Sequence, residues 1–171
     1  MFTILFLSSV ITGLMATGVM VAFLYLPAAW NGMYYDTLGA IGTVWTRTLD
    51  VRARLLGAVA LGLGGIAFAM FYGAFALMFM QQAGGAFVAP AYAILPGLPT
   101  TVDLFYPLLG LVGGFGHGIF MSLIGGFIVT DFHPLARFRD PFPLIASFLI
   151  GHTVFGVVVM FFQHQLLQLL L

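Results

Sequence analysis

Four long, uninterrupted apolar segments constrain this chain most. They run from Phe2 to Leu26, from Leu55 to Met80, from Leu104 to Thr130 and from Pro143 to Leu169. Each exceeds the roughly 20 residues that an α-helix needs to cross a hydrocarbon core, and none contains Asp or Arg. Continuous runs of this length favour helices over barrel strands, which alternate and span about ten residues. The sequence therefore predicts an all-α fold, a four-transmembrane-helix bundle forming one integral membrane domain over residues 1–171.

The composition excludes a water-soluble surface. Hydrophobic residues make up 62% of the chain and charged residues only 6%, whereas soluble domains are roughly 25% charged. The charged residues are five Arg and five Asp, so the formal charge is zero and no basic field attracts nucleic acid. Cysteine is absent, which excludes disulfides and thiolate metal sites. The expected partners are membrane lipid and other membrane protein subunits, not nucleic acid.

The connections between the apolar segments differ in character. In the first, Asp36 to Leu49 is predicted to form a short interfacial helix between helices 1 and 2, because Tyr and Trp accompany Arg there. The second connection, Gln81 to Asp103, contains Gly84, Gly85 and three prolines and is predicted to be irregular. The third, Asp131 to Phe142, is short and polar.

The arginines predict the orientation. All five lie in the first and third connections, which four spans place on the same side of the membrane. Positively charged residues are retained in the cytoplasm, so both termini are predicted to face outward. The expected location is the bacterial cytoplasmic membrane, with the termini in the periplasm of a Gram-negative cell. The residues concerned are Arg47, Arg52, Arg54, Arg137 and Arg139.

Small residues recur every four positions in the third apolar segment. Such a stripe lets a second helix backbone approach closely, where van der Waals packing drives association in lipid. Packing within this bundle is the favoured interpretation. A flat site for a tetrapyrrole, a quinone or a lipid tail and contact with another subunit are the alternatives. The stripe consists of Gly110, Gly114, Gly118, Ser122 and Gly126.

Two histidines lie deep within the third and fourth segments. His117 and His152 are roughly 20 Å and 14 Å from the turn that joins those helices, so they could lie at similar depth. Both are expected to be neutral, and each needs a hydrogen-bonding partner. We predict that each donates to a carbonyl or hydroxyl of a neighbouring helix, with Ser122, Ser147 and Thr153 as candidates. Axial ligation of haem b or (bacterio)chlorophyll and a proton or ion relay are the alternatives.

The other two histidines are expected at the membrane interfaces. His133 lies beside Asp131 at a helix exit, and His164 lies among glutamines near the outer face. Two ligands do not make a metal site, so no metal is predicted. No phosphate-binding loop, nucleophile elbow or zinc-ligand spacing occurs, and nothing pairs a nucleophile with a base. The chain is therefore not expected to be an enzyme.

The segment Gly151-His152-Thr153-Val154-Phe155-Gly156 carries a pattern, G-H-x-x-[FY]-G, at the opening of the last helix. With the preceding glycine-rich helix, it resembles a bacterial family of small four-helix membrane proteins of unknown function. The resemblance implies a four-helix bundle and a structural role for Gly151, His152 and Gly156, but it implies no activity. The long proline-containing second connection departs from that family.

The preferred functional hypothesis is a small non-catalytic membrane subunit that packs against partner membrane proteins in a respiratory or photosynthetic electron-transport complex. A haem- or (bacterio)chlorophyll-binding subunit that uses His117 and His152 is the first alternative. A small transporter or channel is the second.

The predicted orientation can be tested by labelling. A cysteine added after Leu171 should react with an impermeant maleimide in intact cells, whereas a cysteine at Arg47 or Arg137 should be protected because those loops face the cytoplasm. The reverse labelling pattern would overturn the orientation.

Overall fold

The described part of the chain forms four long helices, one short α-helix, two short 3-10 helices (Leu26–Trp30 and Ala136–Phe138) and two short strands. The structure, a computed structural model, describes residues 2–32, 34–83, 92–94 and 101–170. Each of the four long helices is long and apolar enough to cross a membrane, with mean hydropathy between 1.6 and 2.2. This confirms the predicted helical character. The long helices are α1 (Phe2–Tyr25), α3 (Val51–Ala83), α4 (Phe105–Phe132) and α5 (Pro141–Leu170).

A short helix, α2 (Thr37–Thr46), lies between α1 and α3, within the segment predicted to be helical. Its backbone packs closely on the start of α3 through two glycines. A Cβ on Gly42 would overlap the Ala53 carbonyl, and a Cβ on Gly57 would overlap the Leu38 carbonyl. The helix ends at Arg47, which adopts a left-handed conformation with φ of 57°. The helix is thus fastened to the bundle on one face, and its location at a membrane interface stays a prediction.

Asp36 joins three helices at one end of the bundle. Its side chain is only 5% exposed. The Gly39 N–H at the start of α2 and the Tyr25 hydroxyl at the end of α1 donate to one carboxylate oxygen, and Arg54 of α3 contacts the other at 3.0 Å. Burial raises the pKa of this carboxyl, but the three hydrogen bonds outweigh burial and hold the pKa below its usual value.

The helix α3 begins four residues earlier than predicted, at Val51 instead of Leu55. The Asp50 carboxylate accepts the Ala53 N–H at 2.8 Å and caps the first turn. Two arginines, Arg52 and Arg54, therefore belong to the helix and not to the preceding loop. Their long side chains can reach polar surroundings from a first turn.

The helix α5 is the centre of the bundle. It packs against α1, α3 and α4, and α1 also packs against α3. The main apolar core lies where α1, α3 and α5 meet, around Ala16, Ala69, Phe155 and Val159. The helix α4 packs extensively on α5, but among the described residues its approach to α3 is slight. A cleft therefore runs between α3 and α4.

The stripe on α4 forms the contact with α5. A Cβ on Gly110 would overlap the Gly156 carbonyl, a Cβ on Gly114 would lie 2.5 Å from the His152 carbonyl oxygen, and a Cβ on Gly118 would lie 3.0 Å from the Leu149 Cα. One turn further on, the Ser122 hydroxyl donates to the Ile145 carbonyl at 3.2 Å. The smallest side chains thus lie where two backbones touch.

Two glycines of the predicted packing set have other neighbours. A Cβ on Gly126 would meet only the Ile145 side chain, at 3.9 Å, whereas one on Gly125 would overlap the Phe148 ring. Gly125 therefore takes the place that the four-residue spacing assigned to Gly126. Four residues overshoot one helical turn by roughly 40°, so a strict spacing drifts off the contact face. Gly151 faces α1, where a Cβ would lie 3.1 Å from the Leu24 side chain.

The second connection contains a short hairpin where irregular structure was predicted. The strands β1 (Tyr92–Ile94) and β2 (Thr101–Asp103) pair antiparallel, with Ala93 opposite Val102. The β-branched and aromatic composition of these segments favours strands. The prediction is therefore wrong for these six residues. The helix α3 continues to Ala83, three residues further than predicted, and the rest of the connection, including Gly84 and Gly85, lies outside the described residues.

The α4–α5 contact predicts different outcomes for two neighbouring glycines. Gly114→Leu should lower thermal stability by about one to several kcal/mol, because the side chain forces two backbones apart. Gly116→Leu is the matched control, since a Cβ there meets nothing within 4 Å. Thermal unfolding in detergent, followed by circular dichroism, measures both. Equal stability of the two variants would contradict the contact.

Candidate functional site

The α4–α5 contact brings His117 and His152 together. Their ring centroids are 4.5 Å apart and their planes meet at 69°. His117 lies between Gly114 and Gly118 of the contact face. The close approach of the two backbones therefore brings the two imidazoles, each partly buried, into contact.

His152 forms its hydrogen bond within its own helix. Its Nδ1 lies 2.7 Å from the Phe148 carbonyl oxygen, four residues earlier in α5. Because a carbonyl only accepts, Nδ1 carries the proton, and in the neutral ring Nε2 keeps a lone pair. The prediction of a partner on a neighbouring helix is therefore wrong for His152.

His117 has no hydrogen-bonding partner among the described residues. Both of its ring nitrogens are buried, and neither contacts a donor or acceptor there. Two of the predicted partners bond to helix carbonyls instead: Ser122 to that of Ile145 and Thr153 to that of Leu149. The predicted hydrogen bond from His117 to a neighbouring helix is therefore absent among the described residues, and that prediction is wrong there. An unsatisfied buried polar group costs roughly 1–3 kcal/mol, so its presence calls for an explanation.

Thr17 on α1 also carries a buried polar atom without a partner. Its side chain is 7% exposed, and its hydroxyl has no hydrogen-bonding partner among the described residues. Thr17, His117 and His152 line one cavity of about 250 Å³, which we call the head cavity. Its other walls include Gly64 and Phe68. The unpaired nitrogens of His117 and the Thr17 hydroxyl are themselves buried, so the surface of this cavity is almost wholly apolar.

A second cavity of about 500 Å³ occupies the cleft between α3 and α4. We call it the aromatic groove. Phe68 and His117 line both cavities, so the two are adjacent. The ring centroids of Phe68 and Tyr72 lie 4.0 Å and 6.3 Å from that of His117. Phe71 and Phe120 at the rim are each 60% exposed, so the groove opens sideways out of the bundle.

The histidine pair does not fit two axial positions of one macrocycle. Axial imidazoles lie on opposite faces, each with a nitrogen about 2 Å from the metal, which separates the ring centroids by roughly 6 Å. Rings in edge contact at 4.5 Å leave no space for a macrocycle between His117 and His152. The described residues also contain no group of three or more His, Cys, Asp or Glu that could hold a metal ion.

The two histidines predicted to be interfacial are buried. His133 is 3% exposed beneath α2, and its Nε2 lies 2.9 Å from the Ala40 carbonyl, with the Leu135 N–H donating to Nδ1 at 3.1 Å. His164 is 4% exposed and stacks on Tyr106 at 3.6 Å between ring centroids. The α2 helix covers the first and the α4–α5 contact encloses the second, and their depth at the membrane interfaces stays a prediction.

A buried polar cluster was missed in the sequence. Gln163 of α5 donates to Ser8 at 2.8 Å and accepts from Thr12 at 2.5 Å, both on α1. Serine and threonine four residues apart in an apolar helix, with a glutamine in another, are the signal that could have revealed it. Because the Gln163 side chain is satisfied at both ends, the cluster joins α1 to α5 and leaves no group for a ligand.

Comparison of the chain with protein-family models, with curated proteins and with solved structures found no match. The resemblance carried by Gly151–Gly156 therefore stays a prediction, and the site has to be interpreted from its own chemistry.

The unpaired state of His117 predicts an unusual mutational result. In the ligand-free protein, His117→Leu should leave thermal stability unchanged or raise it, because it removes a buried polar group that has no partner. His133→Leu should lower stability by about 1–3 kcal/mol, since it removes the bond to the Ala40 carbonyl and leaves the Leu135 N–H without its acceptor. Thermal unfolding of both variants measures the difference. A loss in His117→Leu as large as that in His133→Leu would show that His117 has a partner after all.

Proposed function

We propose that this chain is a non-catalytic protein of the bacterial cytoplasmic membrane that binds a lipid-soluble small molecule. The chain crosses the membrane four times with both termini outward. The ligand occupies the head cavity and the aromatic groove. The observation that carries the proposal is the aromatic groove, a cavity of about 500 Å³ with almost wholly apolar walls that opens sideways out of the bundle.

The unpaired nitrogens of His117 give secondary support for a ligand. Each unsatisfied polar group opposes folding, so its presence calls for an explanation. A ligand with hydrogen-bonding atoms would satisfy a His117 nitrogen once a rotation of the ring brings that nitrogen to the cavity surface. Lipid alone offers it nothing, because acyl chains neither donate nor accept hydrogen bonds.

The shape of the groove supports entry from the membrane. The aromatic groove opens between α3 and α4, and exposed apolar side chains such as Phe71 and Phe120 surround its mouth. A ligand dissolved in lipid can enter there without crossing an aqueous phase. The side chains around the head cavity are mostly apolar and include two imidazoles, which can bind and orient a molecule.

The partner-subunit hypothesis receives less support from the packing. Small-residue faces had favoured contact with other membrane proteins in a respiratory or photosynthetic complex. Gly110, Gly114 and Gly118 are used within the bundle, against α5, so they leave no free face for a partner. A partner complex is compatible with ligand binding but is not needed to explain the stripe.

Ligation of a haem or chlorin by one histidine is the second candidate. His152 donates from Nδ1 to a helix carbonyl, and metal-binding histidines commonly make such a bond with the nitrogen that does not hold the metal. The observation favours Nε2 of His152 as a single axial ligand. A Soret or chlorin band in the purified protein that disappears in His152→Leu would establish this candidate.

Filling the groove tests the main proposal. Gly116 lines the aromatic groove, and a Cβ there meets nothing within 4 Å, so Gly116→Phe should fill the groove without disturbing the helices. Gly18→Phe is the matched control, because Gly18 of α1 is equally open and lines neither cavity. Mass spectrometry of organic extracts should find a small molecule with the wild-type protein and Gly18→Phe, and at least several-fold less with Gly116→Phe. Equal recovery from all three proteins would contradict the proposal.

A further inference from the structure

We infer that the ligand of the aromatic groove is a flat, neutral molecule with one hydrogen-bond acceptor and no donor, such as an aromatic ketone, and that the Tyr72 hydroxyl donates to this acceptor. The inference rests on the proposed function and names the ligand class. The position of one hydroxyl, the absence of charge around it and the character of the groove walls support it.

The Tyr72 hydroxyl is an unused hydrogen-bonding group on the wall of the aromatic groove. Tyr72 is only 7% exposed, and its hydroxyl has no hydrogen-bonding partner among the described residues. Unlike the ring nitrogens of His117, this oxygen is not fully enclosed by protein atoms. A Cβ on Gly113, which also lines the groove, would lie 3.7 Å from it. The hydroxyl is therefore presented to the groove, beside α4.

The depth of Tyr72 leaves its hydroxyl without a substitute partner. Tyr72 lies roughly 16 Å along the helix axis from Ala83, the nearer end of α3. Tyrosines of membrane proteins usually lie at the interface, where the hydroxyl bonds to water or headgroups. The hydrocarbon interior offers no acceptor. A ligand that places an oxygen beside Tyr72 supplies the missing bond.

The walls select for a neutral molecule that only accepts. No Asp or Arg is among the described residues that line the groove, so a carboxylate, phosphate or ammonium group would lose its hydration there without an opposite charge. The Tyr72 hydroxyl offers one proton. A carbonyl accepts that proton and brings none of its own, whereas an alcohol or an amide would also bury a donor among apolar side chains.

The groove walls suit a flat ring system. Aromatic faces can stack on such a ring, and on the α4 side Gly113 and Gly116 leave the helix backbone bare. The volume of about 500 Å³ lies within the range typical of small-molecule sites. The aromatic side chains of the wall are Phe68, Phe71, Tyr72, Phe75 and Phe120.

Equilibrium binding to the protein in lipid nanodiscs tests the inference. The probes are fluorenone and fluorene, which share one flat skeleton with and without a carbonyl. Each probe is compared between variants, so its partitioning into lipid cancels. Tyr72→Phe removes only the hydroxyl and should weaken fluorenone binding roughly 2- to 10-fold, as expected for one hydrogen bond, while fluorene binding stays unchanged.

Tyr35→Phe is the matched control. The Tyr35 hydroxyl donates to the Phe138 carbonyl at 3.3 Å, and Tyr35 does not line the groove. This variant should bind both probes as the wild-type protein does. In the absence of a ligand, Tyr72→Phe should keep its thermal stability, because its hydroxyl has no partner to lose. A loss as large as that in Tyr35→Phe would show that the Tyr72 hydroxyl has a protein partner, and would overturn the inference.

Two further measurements test the acceptor and the missing donor separately. The infrared band of a carbonyl-labelled fluorenone should lie at lower wavenumber with the wild-type protein than with Tyr72→Phe, because a hydrogen bond weakens the C=O stretch. The alcohol 9-fluorenol brings a donor to the same skeleton. With affinities expressed as mole fractions in the bilayer, it should bind at least several-fold more weakly than fluorenone, and tighter binding would overturn the acceptor-only class.

The outcomes separate the two proposals. Equal fluorenone binding by the wild-type protein and Tyr72→Phe, lost in Gly116→Phe, would overturn the inference and leave an apolar-ligand site in the groove. The absence of saturable fluorenone binding to the wild-type protein would overturn the inference as well. Binding of fluorenone and fluorene that Gly116→Phe does not change would overturn the proposed function itself.

Discussion

The backbone contact between α4 and α5 is the constraint on which the rest of the structure depends. In lipid, apolar side chains gain little by meeting one another, so helices associate where small residues allow backbones to touch. Gly110 and Gly114 meet Gly156 and the His152 carbonyl in this way. The contact sets the depth of both helices, and the histidine pair follows from it. Because α4 packs on α5 in preference to α3, the cleft that becomes the aromatic groove also follows from it.

The long helices could be predicted because their signal is one of composition: an uninterrupted apolar run needs no knowledge of its neighbours. The similar depth of His117 and His152 could be derived from rise per residue and the antiparallel arrangement. The ends of helices were harder, since the start of α3 depends on one capping carboxylate, that of Asp50. Gly126 was misplaced because a four-residue spacing drifts around a helix that turns every 3.6 residues.

The candidate site could be predicted only in part, because hydrogen bonding depends on orientation. Sequence spacing places a histidine at a depth, but it does not reveal which nitrogen finds a partner. His152 bonds within its own helix, whereas His117 has no partner in the described chain. The burial of His133 depends on a short helix from a distant part of the sequence folding over it. Thr17 had no distinguishing sequence context, and only the packing of its unpaired hydroxyl against Gly65 in the folded chain singles it out.

Because the aromatic groove opens sideways, a ligand would reach it from the surrounding lipid and not from water. A site that exchanges its ligand with the bilayer is in equilibrium with a two-dimensional phase. The quantity that sets its occupancy is therefore the mole fraction of ligand in the bilayer. A molecule that is scarce in the cell as a whole can be abundant there, so modest intrinsic affinity suffices for saturation. Occupancy would then follow the lipid composition of the membrane more closely than any aqueous concentration. Dilution of the bilayer with added lipid would empty the site even at constant total ligand.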